Sequence, residues 1–208
     1  RECVVLYGPE NANYEDYGIQ IITMKTLQAV ELGNGTGSTQ TNNTTYFNIA
    51  MNSYNNAIST LNNETSKYLN TTYAESVRCV GSVPNNPDSE SGYYTFTEFS
   101  SSYSGLLRDT DKNYLTDHNQ MSTLTIRDID ERYWLASRNV LSDSNRCDFC
   151  VCYVDTSGTV HTGGSLCLVR ASGTTNSFSN SYGLRPVFTL KSGIKVKGGT
   201  GEKESLSR

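Results

Sequence analysis

Apolar positions fall along this chain in two distinct rhythms. Cys3–Tyr7 (CVVLY) is a short apolar run closed by Gly8-Pro9, which predicts a strand ended by a turn. Ile19–Thr23 predicts a second strand, and Leu27, Val30 and Leu32, ahead of Gly33, a third. From Thr45 the period changes: Phe47, Met51, Tyr54, Ile58 and Leu61 recur every three to four residues, and Tyr68 and Leu69 continue the stripe. That spacing predicts one long helix over 45–73, with Thr44 as its N-cap. Its outer positions are rich in Asn, a poor helix former, so burial of the stripe has to hold it. Cys79-Val80-Gly81 then leads into a turn-rich stretch over 83–92 and a strand at Tyr93–Phe99.

The segment from Tyr133 to Val187 organises the rest. It opens on YWLASR (Tyr133–Arg138), which holds the only tryptophan, and closes on GLRPVFTL (Gly183–Leu190). Between them Phe149, Val151 and Tyr153 alternate with Cys150, Cys152 and Val154, a strand with both faces partly covered. Asp155-Thr156-Ser157-Gly158 predicts a turn, Thr159-Val160-His161 the returning strand, Gly163-Gly164 a bulge, and Ser165–Arg170 further alternation. Ala171–Ser181 reads as a polar loop and Tyr182–Leu190 as the last strand. Two apolar ends around a chemically mixed interior suit a scaffold that displays a surface, because binding residues concentrate on segments held by such scaffolds. The interior is therefore expected to face solvent.

Composition narrows the class. At 208 residues the chain fits one domain over 1–197, with the display region at about 139–182 and a flexible Gly/Lys/Glu/Ser-rich tail over 198–208. Fourteen Tyr and six Phe exclude a disordered chain. A net charge of −4 without a basic block excludes the electrostatic footprint of a nucleic-acid binder. No apolar run has the length that spans a bilayer. An even count of six cysteines in a Ser/Thr/Asn-rich chain points to an extracellular protein with disulfides. Cys150 or Cys152 with Cys167, and Cys3 with Cys79, are the candidate pairs, with free surface thiols as the alternative. Asn34, Asn43, Asn63 and Asn70 stand in N-x-Thr sequons, which arise by chance in such a composition.

Candidate chemistry is sparse. Gly33-x-Gly35-x-Gly37 lacks the Lys and the following helix of a phosphate loop, so Gly33–Asn43 reads as a flexible surface loop. Asp109, Asp111, Asn113 and Asp117 take calcium-loop positions, yet Tyr114 replaces the turn Gly and Gln120 the bidentate Glu. A capped acidic helix start is the alternative there. The histidines are His118 and His161, and no hydrolase or metalloprotease motif is present. Cys147, Cys150, Cys152 and Cys167 with His161 have ligand types that suit zinc or copper. Their spacing does not, because a strand aims Cys147 and Cys150 at opposite faces. No metal, cofactor or catalytic residue is assigned.

YWLASR followed by GLRPVFTLKSGIKV resembles a group of surface proteins from gut Firmicutes, as do YGPENANYEDYGIQII, SYNNAISTLN and YLNTTYAESVRCVGSVP. The C-terminal frame also resembles the C-type lectin-like variable domains diversified by bacterial and phage retroelements. The resemblance implies an α+β C-type lectin-like fold, of mostly antiparallel small sheets with one long helix and extensive loops. It implies Tyr133, Trp134, Gly183, Arg185 and Pro186 as frame, and Leu141, Asp143, Asn145, Arg146, Asp148, Cys150, Cys152, Cys167 and Arg170 as ligand-binding display positions. The implied partner is a macromolecule, protein or glycan, on another cell or host surface. Membrane attachment is expected only through a pilin-like or single-helix leader outside these residues. The WND and EPN-type calcium-sugar motifs are absent, so carbohydrate binding does not follow. The formylglycine-generating enzyme shares the fold, but its Arg-Gly-Gly-Ser-Trp signature is missing. The expected function is an adhesin- or receptor-like binder at the cell surface rather than an enzyme. A structural pilin-like subunit and a cysteine/copper enzyme are the alternatives.

Overall fold

A computed structural model describes residues 2–8, 18–33, 39–40, 44–81, 131–142, 146–170 and 172–194. The expected strand at Tyr93–Phe99, the Asp109–Gln120 segment and the 198–208 tail lie outside these residues. Among the described residues the chain is α+β, with mostly antiparallel sheets. A four-stranded sheet has the order β1-β2-β11-β5, from β1 (Cys3–Tyr7), β2 (Gln20–Thr23), β5 (Ala74–Cys79) and β11 (Pro186–Leu190). A seven-stranded sheet has the order β3-β10-β6-β7-β8-β9-β4. Its strands are β3 (Ala29–Gly33), β4 (Thr39–Gln40), β6 (Tyr133–Ser142), β7 (Arg146–Val154), β8 (Val160–Arg170), β9 (Thr175–Ser177) and β10 (Ser179–Gly183). One face of the large sheet packs against helices α1 (Thr44–Asn55) and α2 (Ala57–Ser66). The other packs against the small sheet.

Alternation along the strands explains the layering. Trp134 and Ala136 of β6, and Cys147, Phe149 and Val151 of β7, join Phe47, Met51, Tyr54, Ile58 and Leu61 in the helix-side core. Tyr133, Leu135, Cys152 and Val154 point the other way and meet Val4, Leu6, Ile22 and Val187 of the small sheet. Both faces of β6 and β7 are therefore spoken for over most of their length.

The helical stripe is real, but the single long helix is not. Asn56 interrupts it at φ −99° and ψ 6°, and α2 ends at Ser66. The interruption is one residue wide, since the Asn56 amide still donates to the Asn52 carbonyl (3.1 Å) and the Thr60 amide to the Asn56 carbonyl (2.8 Å). Two side-chain contacts mark it. The Arg138 guanidinium donates from Nη1 to the Asn55 carbonyl (3.1 Å), and Asn56 Nδ2 donates to the Asn52 carbonyl (2.8 Å). Side-chain bonds of this kind compete with the helical ladder. The chain then turns through 71–73, where the Asn70 carbonyl accepts from the Tyr73 and Ala74 amides, and enters β5. That strand pairs with β11 and was not predicted.

Two other expectations change. The polar stretch 171–181 is largely strand: β9 pairs with β8, and β10 pairs with β3. Tyr182–Leu190 is not one strand but two, since Leu184 and Arg185 carry the chain from β10 in the large sheet to β11 in the small one. Within Gly33–Asn43, Thr39 and Gln40 form a short strand on β9. Gly33 itself sits at φ +120°, and a Cβ there would fall 1.9 Å from the Phe178 carbonyl oxygen. Only glycine fits that approach.

The bulge expected at Gly163-Gly164 is present. Val151 pairs with Gly164 but Tyr153 with His161, so one extra residue is inserted on β8. A Cβ on Gly164 would meet the Val151 carbonyl oxygen at 2.2 Å and the Trp134 ring at 3.1 Å. A second shift follows at Leu166, between the Phe149–Cys167 and Cys150–Ser165 pairs.

Candidate functional site

The frame residues come together. Gly183 and Tyr133 form the one parallel bridge between β10 and β6, and the Gly183 amide donates to the Arg132 carbonyl at 2.9 Å. Arg185 is fully buried between the sheets. Its Nε donates to the Thr23 carbonyl (3.0 Å), Nη2 donates to the same oxygen, and Nη1 donates to the Tyr133 hydroxyl (3.3 Å). The guanidinium carbon also lies 4.9 Å from the Tyr133 ring centre. Burial pulls the Arg185 pKa down while Tyr133 supports it, and burial pushes the Tyr133 phenol up. Trp134 is anchored by its own donation from Nε1 to the Val30 carbonyl (2.8 Å).

Much of what is described between these bookends is core rather than display loop. Cys150, Cys152 and Cys167 each have 0% relative exposure, which removes them from any display surface. This corrects their assignment as ligand-contacting positions. The reason is that β7 and β8 occupy the interior of the seven-stranded sheet, with helices on one side and the small sheet on the other.

No disulfide forms, and all six cysteines are thiols. The shift at Leu166 sets Cys167 opposite Phe149 and turns it toward the helices, whereas Cys150 pairs with Ser165 on the reverse face. A bridge from Cys150 or Cys152 to Cys167 would have to cross the sheet. Cys3 and Cys79 sit on opposite edges of the small sheet. Three inter-strand steps of about 4.8 Å separate them, well beyond the roughly 7 Å a disulfide spans. Burial pushes the Cys167 thiol up to about 12, with the nearby Asp148 charge adding to it. The Cys150 thiol is raised further, again by burial first and Asp148 second. Such thiols stay protonated and unreactive. Among the described residues no three His, Cys, Asp or Glu side chains converge as metal ligands.

The surviving display positions lie at the open end of β7 and β8. On one face of β7, burial falls steadily outward: Cys152 and Cys150 are buried, Asp148 is half-buried and Arg146 is exposed. Arg170 is half-buried and stands directly across from Arg146, while Leu168 faces Asp148. Asp148 accepts a short hydrogen bond from Ser165 Oγ. Burial raises the Asp148 carboxyl above its ordinary value, and the Ser165 and Cys150 bonds and the Arg146 and Arg170 charges only partly offset it. Leu141 lies in β6 opposite Asp148. Its side chain, and the whole of Asp143 and Asn145, fall outside the described residues.

Two site residues escaped the sequence reading. Ser165 was invisible because its partnership with Asp148 depends on the shifted register. Asn176, buried in β9, is satisfied when its amide oxygen accepts from Arg170 Nη1 (3.0 Å) and its nitrogen donates to the Thr175 carbonyl (3.2 Å). A polar TNS strand offers no periodic signal for that burial.

Nearby, on the helix-side face, His161 stacks on Tyr153 with ring centres 4.8 Å apart, and Tyr182 tilts against both Tyr153 and Trp134. His161 Nε2 also meets Asp155 Oδ2 at 2.7 Å. Asp155 ties the β7–β8 turn, and its carboxyl is depressed, first by the Ser157 hydroxyl and then by His161.

The Asp148 shift has a measurable sign. A raised folded-state carboxyl pKa means that folding favours the neutral acid, so its favourable contribution is present at low pH and lost as pH rises through that raised value. Asp148→Asn, uncharged throughout and still able to accept from Ser165, is expected to melt higher than the parent at pH 7. The gap should close below about pH 4, where the parent carboxyl is protonated in both states. Thermal melts across that range check it; equal melting temperatures at every pH would contradict it.

No described helix is long and apolar enough to cross a membrane. Comparison with protein-family models, curated proteins and solved structures returns no match.

Proposed function

We propose that this chain is a surface-displayed, extracellular ligand-binding protein of adhesin or receptor type, in which a C-type lectin-like scaffold carries a diversified binding face. The supporting observation is the outward gradient along β7. A clasped, buried frame of Tyr133, Trp134 and Arg185 holds a strand whose inner residues are core, and whose outer end brings Arg146, Asp148 and Arg170 to solvent. Residues on such a margin can change without removing packing volume, since substitutions away from buried features usually shift stability little. Arginine is also among the side chains favoured in protein contacts. The binding mode is a rigid frame with little rearrangement.

The test separates margin from core. The parent chain is screened against arrayed cell-surface proteins and glycans and against intact bacterial cells. The triple variant Arg146→Ser, Asp148→Ser, Arg170→Ser is then screened in parallel. The reading expects the variant to keep cooperative unfolding and to lose at least tenfold in affinity for whatever the parent binds. An unaltered binding profile in the folded variant would sink it, and so would a parent that binds nothing on any array.

A further inference from the structure

We propose that the crease between Tyr153 and Tyr182, at the opposite end of β7 from Arg146, is a binding site for a quaternary ammonium group. It lies apart from the ligand face proposed above and does not depend on it. The ring centres of the two tyrosines are 5.0 Å apart, with their planes tilted by 42°. Both residues are half-buried, so each ring keeps part of its surface in solvent. Each is braced by a further ring: Tyr182 lies 4.4 Å from buried Trp134, and His161 stacks on Tyr153 at 4.8 Å. The crease already holds a cation. The Arg132 guanidinium carbon lies over both rings, 5.9 Å from the Tyr153 centre and 5.7 Å from that of Tyr182. The negative π-faces of aromatic rings attract such a charge within about 6 Å.

This occupant is loosely held. Arg132 is exposed, and among the described residues its guanidinium makes no hydrogen bond and no ion pair. Both ring contacts fall near the outer limit of the attraction, so the side chain can swing into water and leave the rings free. The Arg132 N–H groups thus find ring faces in the crease but no acceptor. A donor taken from water and given no acceptor costs free energy. Ammonium and guanidinium ligands would bear that cost. A quaternary ammonium carries no N–H and escapes it, and its methyl groups suit the apolar ring faces. Asp155 adds a negative charge within electrostatic reach of Tyr153, and hydrogen bonds with Ser157 and His161 keep that carboxyl ionised.

The test titrates the full chain with tetramethylammonium, choline, methylammonium or guanidinium chloride and follows the Tyr153 and Tyr182 ring signals by NMR. Sodium chloride holds the ionic strength constant. The two tyrosines should shift together and saturate, with tetramethylammonium and choline bound about tenfold or more tighter than methylammonium and guanidinium. Tyr182→Leu should weaken binding about tenfold or more, whereas Tyr73→Leu, at an exposed tyrosine just before β5, should leave it unchanged. Arg132→Ala removes the competing side chain without touching the core and should tighten binding about threefold or more. That gain keeps the test decisive should Tyr182→Leu fail to fold. Choline uptake without co-sedimentation on phosphatidylcholine vesicles assigns a soluble ligand, and co-sedimentation assigns a lipid headgroup. Ring signals that stay fixed or follow methylammonium as readily as tetramethylammonium would overturn the site. So would an Arg132→Ala chain that binds no tighter than the parent.

Discussion

Replacing Trp134 by Ala should lower the unfolding free energy by about 3–5 kcal/mol, the range seen for large aromatic truncations in cores. The ring is fully buried in the helix-side core and lies against Tyr182 at 4.4 Å. It also supplies the Nε1 donor to the Val30 carbonyl, which ties β6 to β3 across the intervening β10. Two losses therefore combine: a cavity that the surrounding strands cannot close, and a buried carbonyl deprived of its donor. Trp134→Phe separates them, because it keeps most of the volume. It should cost the smaller share, about 1–3 kcal/mol for the unmatched carbonyl. Urea unfolding followed by far-ultraviolet circular dichroism measures both, since removing the only tryptophan also removes the fluorescence probe. A loss under 1 kcal/mol for Trp134→Ala would show that β6 is not held as described.

Arg185→Ala should be of similar size, about 3–5 kcal/mol, for a different reason. Hydrogen bonds from a charged donor contribute about 1.5–3 kcal/mol each, and the partners left behind are buried. Here the Thr23 carbonyl and the Tyr133 hydroxyl lose their donor, and a cavity opens where β6, β2 and β11 meet. The buried cation carries its own desolvation penalty, which the substitution relieves. The lost bonds and lost volume outweigh that relief. Arg185→Met tests the balance: it fills the space and removes the charge, so it should be milder than Ala by about 1–2 kcal/mol. Arg185→Lys should be at least as damaging as Met, because one ammonium cannot reproduce the fork on Thr23 while reaching Tyr133. Urea midpoints for the three variants decide the order, and a Met variant no better than Ala would mean that bonding rather than packing dominates.

Much of this frame was legible in the chain itself. Unbroken or alternating apolar runs marked β1, β2 and β3 to within about two residues and the inner part of β7 from Phe149, though not its start at Arg146, and the Gly163-Gly164 pair marked the bulge on β8. Tyr133, Trp134, Gly183, Arg185 and Pro186 are buried as frame residues should be. What could not be read depends on contacts between distant segments. The break at Asn56 needs Arg138 to reach back across the core to Asn55. Strand β9 is Thr-Asn-Ser and still buried, because its neighbours cover it and not because of its own hydrophobicity.

The site was half legible for a related reason. Alternation put Cys150 and Cys152 on one face, and they do share it, with Asp148 and Arg146 further along the same strand. It carried no information on how much of that face the small sheet covers, and the cysteines were therefore placed in solvent. The candidate bridge from Cys150 or Cys152 to Cys167 fails at Leu166, where one inserted residue turns Cys167 to the far side of the sheet. A single-residue slip reverses every side chain beyond it.

Native-state thiol labelling puts the buried-interior account to trial. The reduced chain is treated briefly with N-ethylmaleimide, and intact mass and peptide mapping count the adducts. Only Cys3, which is half-buried, should react at an appreciable rate, and all six thiols should react once the chain is unfolded. Rapid modification of Cys150, Cys152 and Cys167 in the folded protein would mean that the strands between the clasped ends lie open to water.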